Sequence, residues 1–303
     1  MNVNIRKTAQ LTGHNASVYA LSAYNTDNLI LSSGGDGLIV VWDLNNPELG
    51  RLLAKADGNI FSLTYLPEQH WVVAGNMYGG LHWIDMADQQ NFKSVQIHKK
   101  GIFAFHQLND NQLLSLGGEG GLTLWDIPNA RSIETLELSA ESLRCIDKHP
   151  FKSEIAIGSS DGNIYLVHSE TLELKKVLKQ VHQNSVFSVR YSPDGQYLLS
   201  GGRDAYLRIR ETVAHEEVPT QAAHLFTVND IAFHPTLPYF ATASRDKTIK
   251  IWDAQSFALL KVIDSIRHGG HLKSVNRLLW SKYNNELISC SDDRSIIIWE
   301  LTF

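Results

Sequence analysis

Two short stretches of the chain carry residue types that could do covalent or metal chemistry. Gly158-Ser159-Ser160-Asp161-Gly162 fits G-x-S-x-G, the sharp turn that presents a nucleophilic serine, here Ser160, in α/β-hydrolases. His268-Gly269-Gly270-His271 could offer backbone N–H groups to an oxyanion, or two imidazoles to a metal. Each needs company. The serine requires a strand-to-helix turn in a mainly parallel sheet. The imidazoles require a third ligand, and none is evident nearby. The glycine runs Ser32–Gly37 and Leu116–Gly121 lack the Lys-Ser/Thr pair and the following helix of a phosphate-binding loop, and read as tight turns. The elements around these stretches decide between the readings.

Those elements repeat. Segments ending in alternating apolar residues and Trp-Asp recur at Val40–Asp43, Leu122–Asp126 and Ile249–Asp253, with a near copy at Ile296–Glu300 and a shifted one around Trp83. Two further copies carry Val167 and Arg210 at the tryptophan place. The spacings from Trp42 through Trp83, Trp125, Val167, Arg210 and Trp252 to Trp299 are 41, 42, 42, 43, 42 and 47 residues. Each unit reads as short alternating strands between Gly, Asn, Asp and Pro turns, which excludes a helical solenoid. A period of ~40–45 residues with four strands per unit is that of a propeller blade. Seven units fill the chain.

Other residues keep the same register. Six positions before each tryptophan place stand Asp36, Met77, Glu119, Asp161, Asp204, Asp246 and Asp293; four before those stand Ser32, Val73, Ser115, Ile157, Ser200, Thr242 and Ser289. Some 22 residues before the acid, five units carry a histidine: His14, His98, His182, His224 and His271. Histidine and hydroxyl are present together in units one, three, five, six and seven, and absent together in units two and four. Residues that come and go as a set behave like one hydrogen-bonded network, because buried polar groups must be paired.

On these residues the chain resembles the WD-repeat family over essentially its whole length. The resemblance implies an all-β, seven-bladed propeller of four-stranded antiparallel blades, spanning residues 1–303 as one domain. It also implies that histidine, hydroxyl, acid and tryptophan tie the d–a loop, strand b, the b–c turn and strand c of each blade together. Complete sets are His14, Ser32, Asp36 and Trp42; His224, Thr242, Asp246 and Trp252; and His271, Ser289, Asp293 and Trp299. In this frame Ser160 falls on a b–c turn, His271 belongs to a blade network, and His149 and His234 precede prolines in a–b turns. After Trp299 too few residues remain for a fourth strand, while Val3–Leu11 is strand-like and unused. The N-terminal strand is therefore expected to complete the last blade and hide open sheet edges.

In family members the residue after the apolar start of strand a faces the central opening; here these are Tyr19, Phe61, Phe103, Arg144, Phe187, Asn229 and Asn276. The residue before each b–c acid position adds Gly35, Asn76, Gly118, Ser160, Arg203, Arg245 and Asp292. Aromatic and arginine side chains dominate interface energetics. A rim of Tyr19, Phe61, Phe103 and Phe187 with Arg144, Arg203 and Arg245 would suit an extended peptide with an apolar anchor and an acidic or phosphorylated group. Rings that merely pack between blades, and arginines that merely face water, remain the alternative. The expected role is a non-catalytic scaffold for partner proteins or peptides, a monomeric propeller within a larger complex. An enzyme or small-ligand binder using the channel is the competing reading. No cofactor or metal is expected.

Composition fits this frame. Charged residues are 19% of the chain, below the usual ~25%, as expected of strands buried on both faces. A net charge of −5 argues against whole-molecule binding to nucleic acid or a membrane surface. No apolar run reaches signal-peptide or membrane-spanning length, and Cys145 and Cys290 lack metal-ligand spacing, so a cytoplasmic location is expected.

Overall fold

The computed structural model describes residues 3–88, 92–218 and 222–302, which form seven four-stranded antiparallel sheets. In blade 1 the strands run a (Val18–Tyr24), b (Leu29–Gly34), c (Leu38–Asp43) and d (Arg51–Lys55). Five further blades keep that order. The seventh draws a, b and c from Val275–Trp280, Leu287–Ser291 and Ser295–Thr302, and its outer strand from Asn4–Thr12 at the other end of the chain. Asn4 pairs with Thr302 and Thr12 with Ser295, so the N-terminal strand closes the ring as the sequence led us to expect. The a strands touch in a closed circuit, that of blade 1 meeting those of blades 2 and 7, and so surround a central channel.

Burial falls from the inner strands to the rim. The b strands Ile155–Ser159 and Leu287–Ser291 are buried throughout, as a strand covered on both faces must be. The d strand Arg131–Glu137 is exposed along nearly its whole length and carries the charge that keeps an edge from pairing with other molecules. The apolar clusters lie between blades: Trp42, Ile30 and Val40 of blade 1 pack with Leu11, Ile288 and Ile298 of blade 7. Each b–c turn needs one left-handed residue, Gly37 (φ 71°) in blade 1 and Gly120 (φ 100°) in blade 3. A Cβ at Gly120 would stand 1.8 Å from the Ser139 carbonyl oxygen, so only glycine fits there. The single-turn helix Ser265–His268, capped by Asp264 and Gly269, supplies the extra residues of the last repeat. Among the described residues no helix is long and apolar enough to cross a membrane.

One correction emerges from the pairing. Ile30 faces Trp42 in blade 1 and Leu113 faces Trp125 in blade 3, but the same place in blade 2 pairs Val72 with Ile84. Blade 2 is therefore offset by one from the tryptophan register, and its true equivalents are Ala74, Tyr78 and Ile84 rather than Val73, Met77 and Trp83. Likewise Met77, not Asn76, precedes the acid place: its N–H bonds the Asn59 carbonyl, as Gly35 N–H bonds that of Ser17. A slip of one residue turns a strand side chain to the opposite face. Trp83 accordingly packs edge-on to Trp71 and 5.7 Å from Trp125, and its buried indole N–H has no partner among the described residues. Trp125 instead donates to Ser115 Oγ at 2.9 Å.

Two outcomes follow from pairing and burial. Removing residues 1–10 should abolish cooperative unfolding in calorimetry, because both the last blade and the ring lose their closing strand; an unchanged midpoint and enthalpy would contradict this. Trp83→Phe deletes an unpaired donor, so it should cost at least about 1 kcal/mol less in urea unfolding than Trp125→Phe, which deletes a paired one.

Candidate functional site

Four places bring polar or aromatic side chains together. The first is the blade network. In blade 1 the Trp42 indole N–H donates to Ser32 Oγ at 2.8 Å, Ser32 Oγ lies 2.8 Å from His14 Nε2, and His14 Nδ1 lies 3.0 Å from the Asp36 carboxylate. The same bonds join Trp252, Thr242, His224 and Asp246, and Trp299, Ser289, His271 and Asp293. Blade 3 uses Glu119 against His98 at 2.6 Å, and blade 5 keeps His182, Ser200 and Asp204, with Arg210 paired instead to Glu217. Serine, histidine and acid stand here in the order of a hydrolytic triad. Yet Ser32 and Ser289 are fully buried, and each hydroxyl already accepts an indole N–H, so no substrate reaches them.

Two acids of this network, Asp246 and Asp293, are held ionised. Burial would raise Asp246 and Asp293, but the hydrogen bonds and charges of His224 and His271, with hydroxyl and backbone donors, hold both well below the carboxylate range. Burial also lowers His224, an effect that Asp246 partly offsets. In blade 4 Ser139 takes the histidine place: Asp161 accepts from Ser139 at 3.0 Å and from the Tyr165 hydroxyl at 2.6 Å.

The second place is the channel mouth. In all seven blades the a–b ladder shifts by one between the residues flanking Tyr19, Phe61, Phe103, Arg144, Phe187, Asn229 and Asn276. Such a bulge re-aims the side chain that it carries. All seven are half-buried. Tyr19 meets Phe61 edge-on at 5.4 Å, and Phe61 stacks on Phe103 at 5.4 Å. The Arg144 guanidinium lies 4.0 Å from the Phe103 ring and 5.5 Å from Phe187. Five consecutive blades thus contribute one continuous arc. Each ring pair contributes about 0.5–1.5 kcal/mol and the cation–π contacts a similar amount. Arg144 also donates from Nε to Ser160 Oγ at 2.8 Å, which leaves the candidate elbow serine on a strand-to-strand turn beside a guanidinium.

The asparagines do something else. Asn229 donates to Ser274 Oγ and the Val275 carbonyl, and Asn276 donates to the Val18 carbonyl and Asp292, so both amides tie neighbouring blades together. Arg203 and Arg245 are exposed on the b–c turns, with no ion pair among the described residues. Beside Arg245, whose N–H bonds the Thr227 carbonyl, the d–a loop exposes Leu225 (84%) and Phe226 (59%); the next loop exposes Leu272 (70%). Sequence reading passed over these three apolar tips because each follows a network residue by one or two positions and looks like part of it.

The third place is the channel interior. Asp230 Oδ1 stands 3.7 Å from Arg190 and 3.6 Å from Arg277, which also reaches the Phe103 carbonyl three blades away. The fourth is a groove of about 430 Å³ lined in part by Leu53, Asp57, His82, Phe92 and Ser94. Ser94 Oγ lies 2.8 Å from His82 Nδ1, and Asn76 Nδ2 lies 3.0 Å from His82 Nε2. Asn76 Oδ1 accepts the N–H groups of Tyr78 and Gly80, which fixes Nδ2 as the donor to His82. His82 must then carry its proton on Nδ1 and donate to Ser94, the reverse of what a general base requires.

Turn geometry accounts for the remaining histidines singled out above. His149 Nδ1 accepts the N–H groups of Phe151 and Lys152, and His234 Nδ1 those of Thr236 and Leu237. His268 sits on the single-turn helix, whereas both ring nitrogens of His271 are engaged in its blade. Among the described residues no group of three His, Cys, Asp or Glu could hold a metal.

Comparison with known proteins bears on the fold. A family model described as WD domain, G-beta repeat matches residues 5–43, 173–210, 216–253 and 262–300. Protein tipD of Dictyostelium discoideum is 23% identical over 294 residues, covering 95% of this chain and 48% of its own length. Nuclear distribution protein nudF of Emericella nidulans is 23% identical, covering 97% and 62% respectively. Actin-interacting protein 1 of Drosophila melanogaster is 22% identical, covering 86% and 43%. The chain thus spans about half the length of the curated relatives it matches. The solved WD40 β-propeller domain of Doa1 superposes with a TM-score of 0.85 at 18% identity, over 98% of this chain and 97% of that one.

The network makes stability acid-sensitive in a defined window. Carboxylates held below their ordinary 3.8 stabilise the fold above that pH and lose this contribution as pH falls through and below it. Urea midpoints should therefore drop steeply below about pH 4. The double variant Asp246→Asn, Asp293→Asn should be less stable at pH 7 but show a shallower acid slope; an unchanged slope would show that these acids do not set it.

Proposed function

Because this chain belongs to the WD domain, G-beta repeat family, whose model matches about half of its residues, we propose that it is a non-catalytic platform binding a partner protein on the face that bears the d–a and b–c loops. The arc Tyr19–Phe61–Phe103–Arg144–Phe187 carries this reading, since five aromatic and guanidinium groups are held half-open at one mouth by a bulge repeated in every blade. Beside it, Leu225, Phe226 and Leu272 offer apolar anchors, and Arg203 and Arg245 offer unpaired positive charge. That combination suits an extended segment with an apolar residue and an acidic or phosphorylated one.

A relative is named Actin-interacting protein 1, and what we carry over from it is the kind of role, holding another protein, rather than actin itself. The two free, buried cysteines Cys145 and Cys290 fit a reducing compartment such as the cytoplasm. The closed ring leaves its loop faces and blade edges available at once, which suits a monomer working inside a larger assembly.

The test uses exposed residues only. Arg203→Glu with Arg245→Glu, and separately Leu225→Ala with Phe226→Ala, should each weaken partner binding at least about tenfold. Melting behaviour should barely change, as expected of surface substitutions. Wild-type binding should also weaken with salt. Undiminished binding by both variants in low salt would move the site off this face.

A further inference from the structure

We propose that the central channel binds a small oxyanion of the phosphate class between the guanidinium groups of Arg190 and Arg277. These side chains come from the a strands Val186–Tyr191 and Val275–Trp280, two blades apart, with Asp230 on the intervening strand Val228–Phe233. Both approach the same oxygen, Asp230 Oδ1, at 3.7 and 3.6 Å, too long for hydrogen bonds and unlike the paired forks of a tight Arg–carboxylate bridge. Asp230 is occupied otherwise: Oδ1 accepts from Ser188 Oγ at 3.2 Å and Oδ2 from Leu278 N–H at 3.0 Å.

The guanidiniums spend few donors on the protein. Arg277 makes one long bond to the Phe103 carbonyl at 3.5 Å, and Arg190 reaches the carbonyls of Val189 and Ile146 at 3.1 and 3.4 Å. A quarter of the Arg277 side chain and a third of Arg190 stay open to solvent. Each guanidinium has five N–H donors, and no other hydrogen bonds to them occur among the described residues. Two forks arriving from different directions suit a tetrahedral oxyanion better than a planar carboxylate.

Within the channel Arg190 and Arg277 stand beside the carboxyls of Asp230 and Asp147. Burial raises Asp147, with Arg190 opposing. His106, on the a strand Ile102–Asn109, has no hydrogen-bond partner among the described residues. Burial, then the charges of Arg190 and Lys148, push its imidazole down to about 4. Unspent guanidinium donors from two strands make the channel an anion site by geometry. Arg190, Arg277, Asp230 and His106 lie outside the loops of the partner face, and only the Phe103 carbonyl, which accepts from Arg277, is shared with its arc.

The experiment titrates the full chain with inorganic phosphate at constant ionic strength, chloride being the exchange partner and sulfate and acetate the comparison anions. Phosphate should raise the melting temperature by about 2 °C or more over chloride, with acetate inert. Arg277→Gln and Arg190→Gln should each weaken phosphate binding at least tenfold, and Arg277→Lys should retain part of it. The His106 imidazole resonances provide a readout that needs no variant: bound phosphate should raise its pKa by at least half a unit. An equal melting shift in wild type and Arg277→Gln, no shift beyond chloride, or an unmoved His106 titration would each overturn the proposal.

Discussion

Each regular blade hangs on an imidazole shut away from water with both ring nitrogens engaged. His14, His224 and His271 take a hydroxyl on one side and a carboxylate on the other, and an indole N–H fills the hydroxyl's remaining capacity. The indole can only donate and the carboxylate only accept, so a neutral imidazole donates from Nδ1 to the acid and accepts the hydroxyl proton at Nε2. A loop, an inner strand, a turn and a third strand are thereby tied at one point. The turn carries Arg203 and Arg245, and the loop after the histidine carries the exposed tips Leu225, Phe226 and Leu272.

The network was readable because its members are polar, of few types, and bound to fixed offsets. Blade 2 shows the limit of that reading. Trp83 looked like the anchor of its repeat, but the left-handed glycine after the acid place is the truer marker: Gly37, Gly120 and Gly162 follow Asp36, Glu119 and Asp161, and the matching Gly79 follows Tyr78. Aligning on that glycine recovers the register that the strand pairing displays. A large aromatic can sit on either face of a doubly buried strand, whereas a backbone forced to positive φ leaves less choice.

The repeated bulged position was legible in the sequence, but what each residue does there was not. Position after the apolar start of strand a named seven residues, and the bulge holds all seven half-buried. What each does depends on its neighbours some forty residues away. Phe61 found rings on both sides, whereas Asn229 and Asn276 found backbone carbonyls and became ties between blades. The channel interior was not legible at all. Arg190, Asp230, Arg277 and His106 stand on four different strands, and nothing local in the sequence says that they converge.

The pairing of Asn4–Thr12 with Ser295–Thr302 has a consequence for how the molecule is made. Synthesis runs from N to C, so Asn4–Thr12 emerges long before Ser295–Thr302 and must wait unpaired while the six intervening blades assemble. During that interval the growing arc has two raw flanks, one at the first blade and one at the newest, each able to recruit a neighbouring nascent chain. Such long-separated pairing also slows the final step, because the whole intervening loop must be closed before any of its bonds can form. Arg6, exposed in the finished ring, and half-buried Lys7 are suited to keeping the waiting strand solvated until its mate arrives.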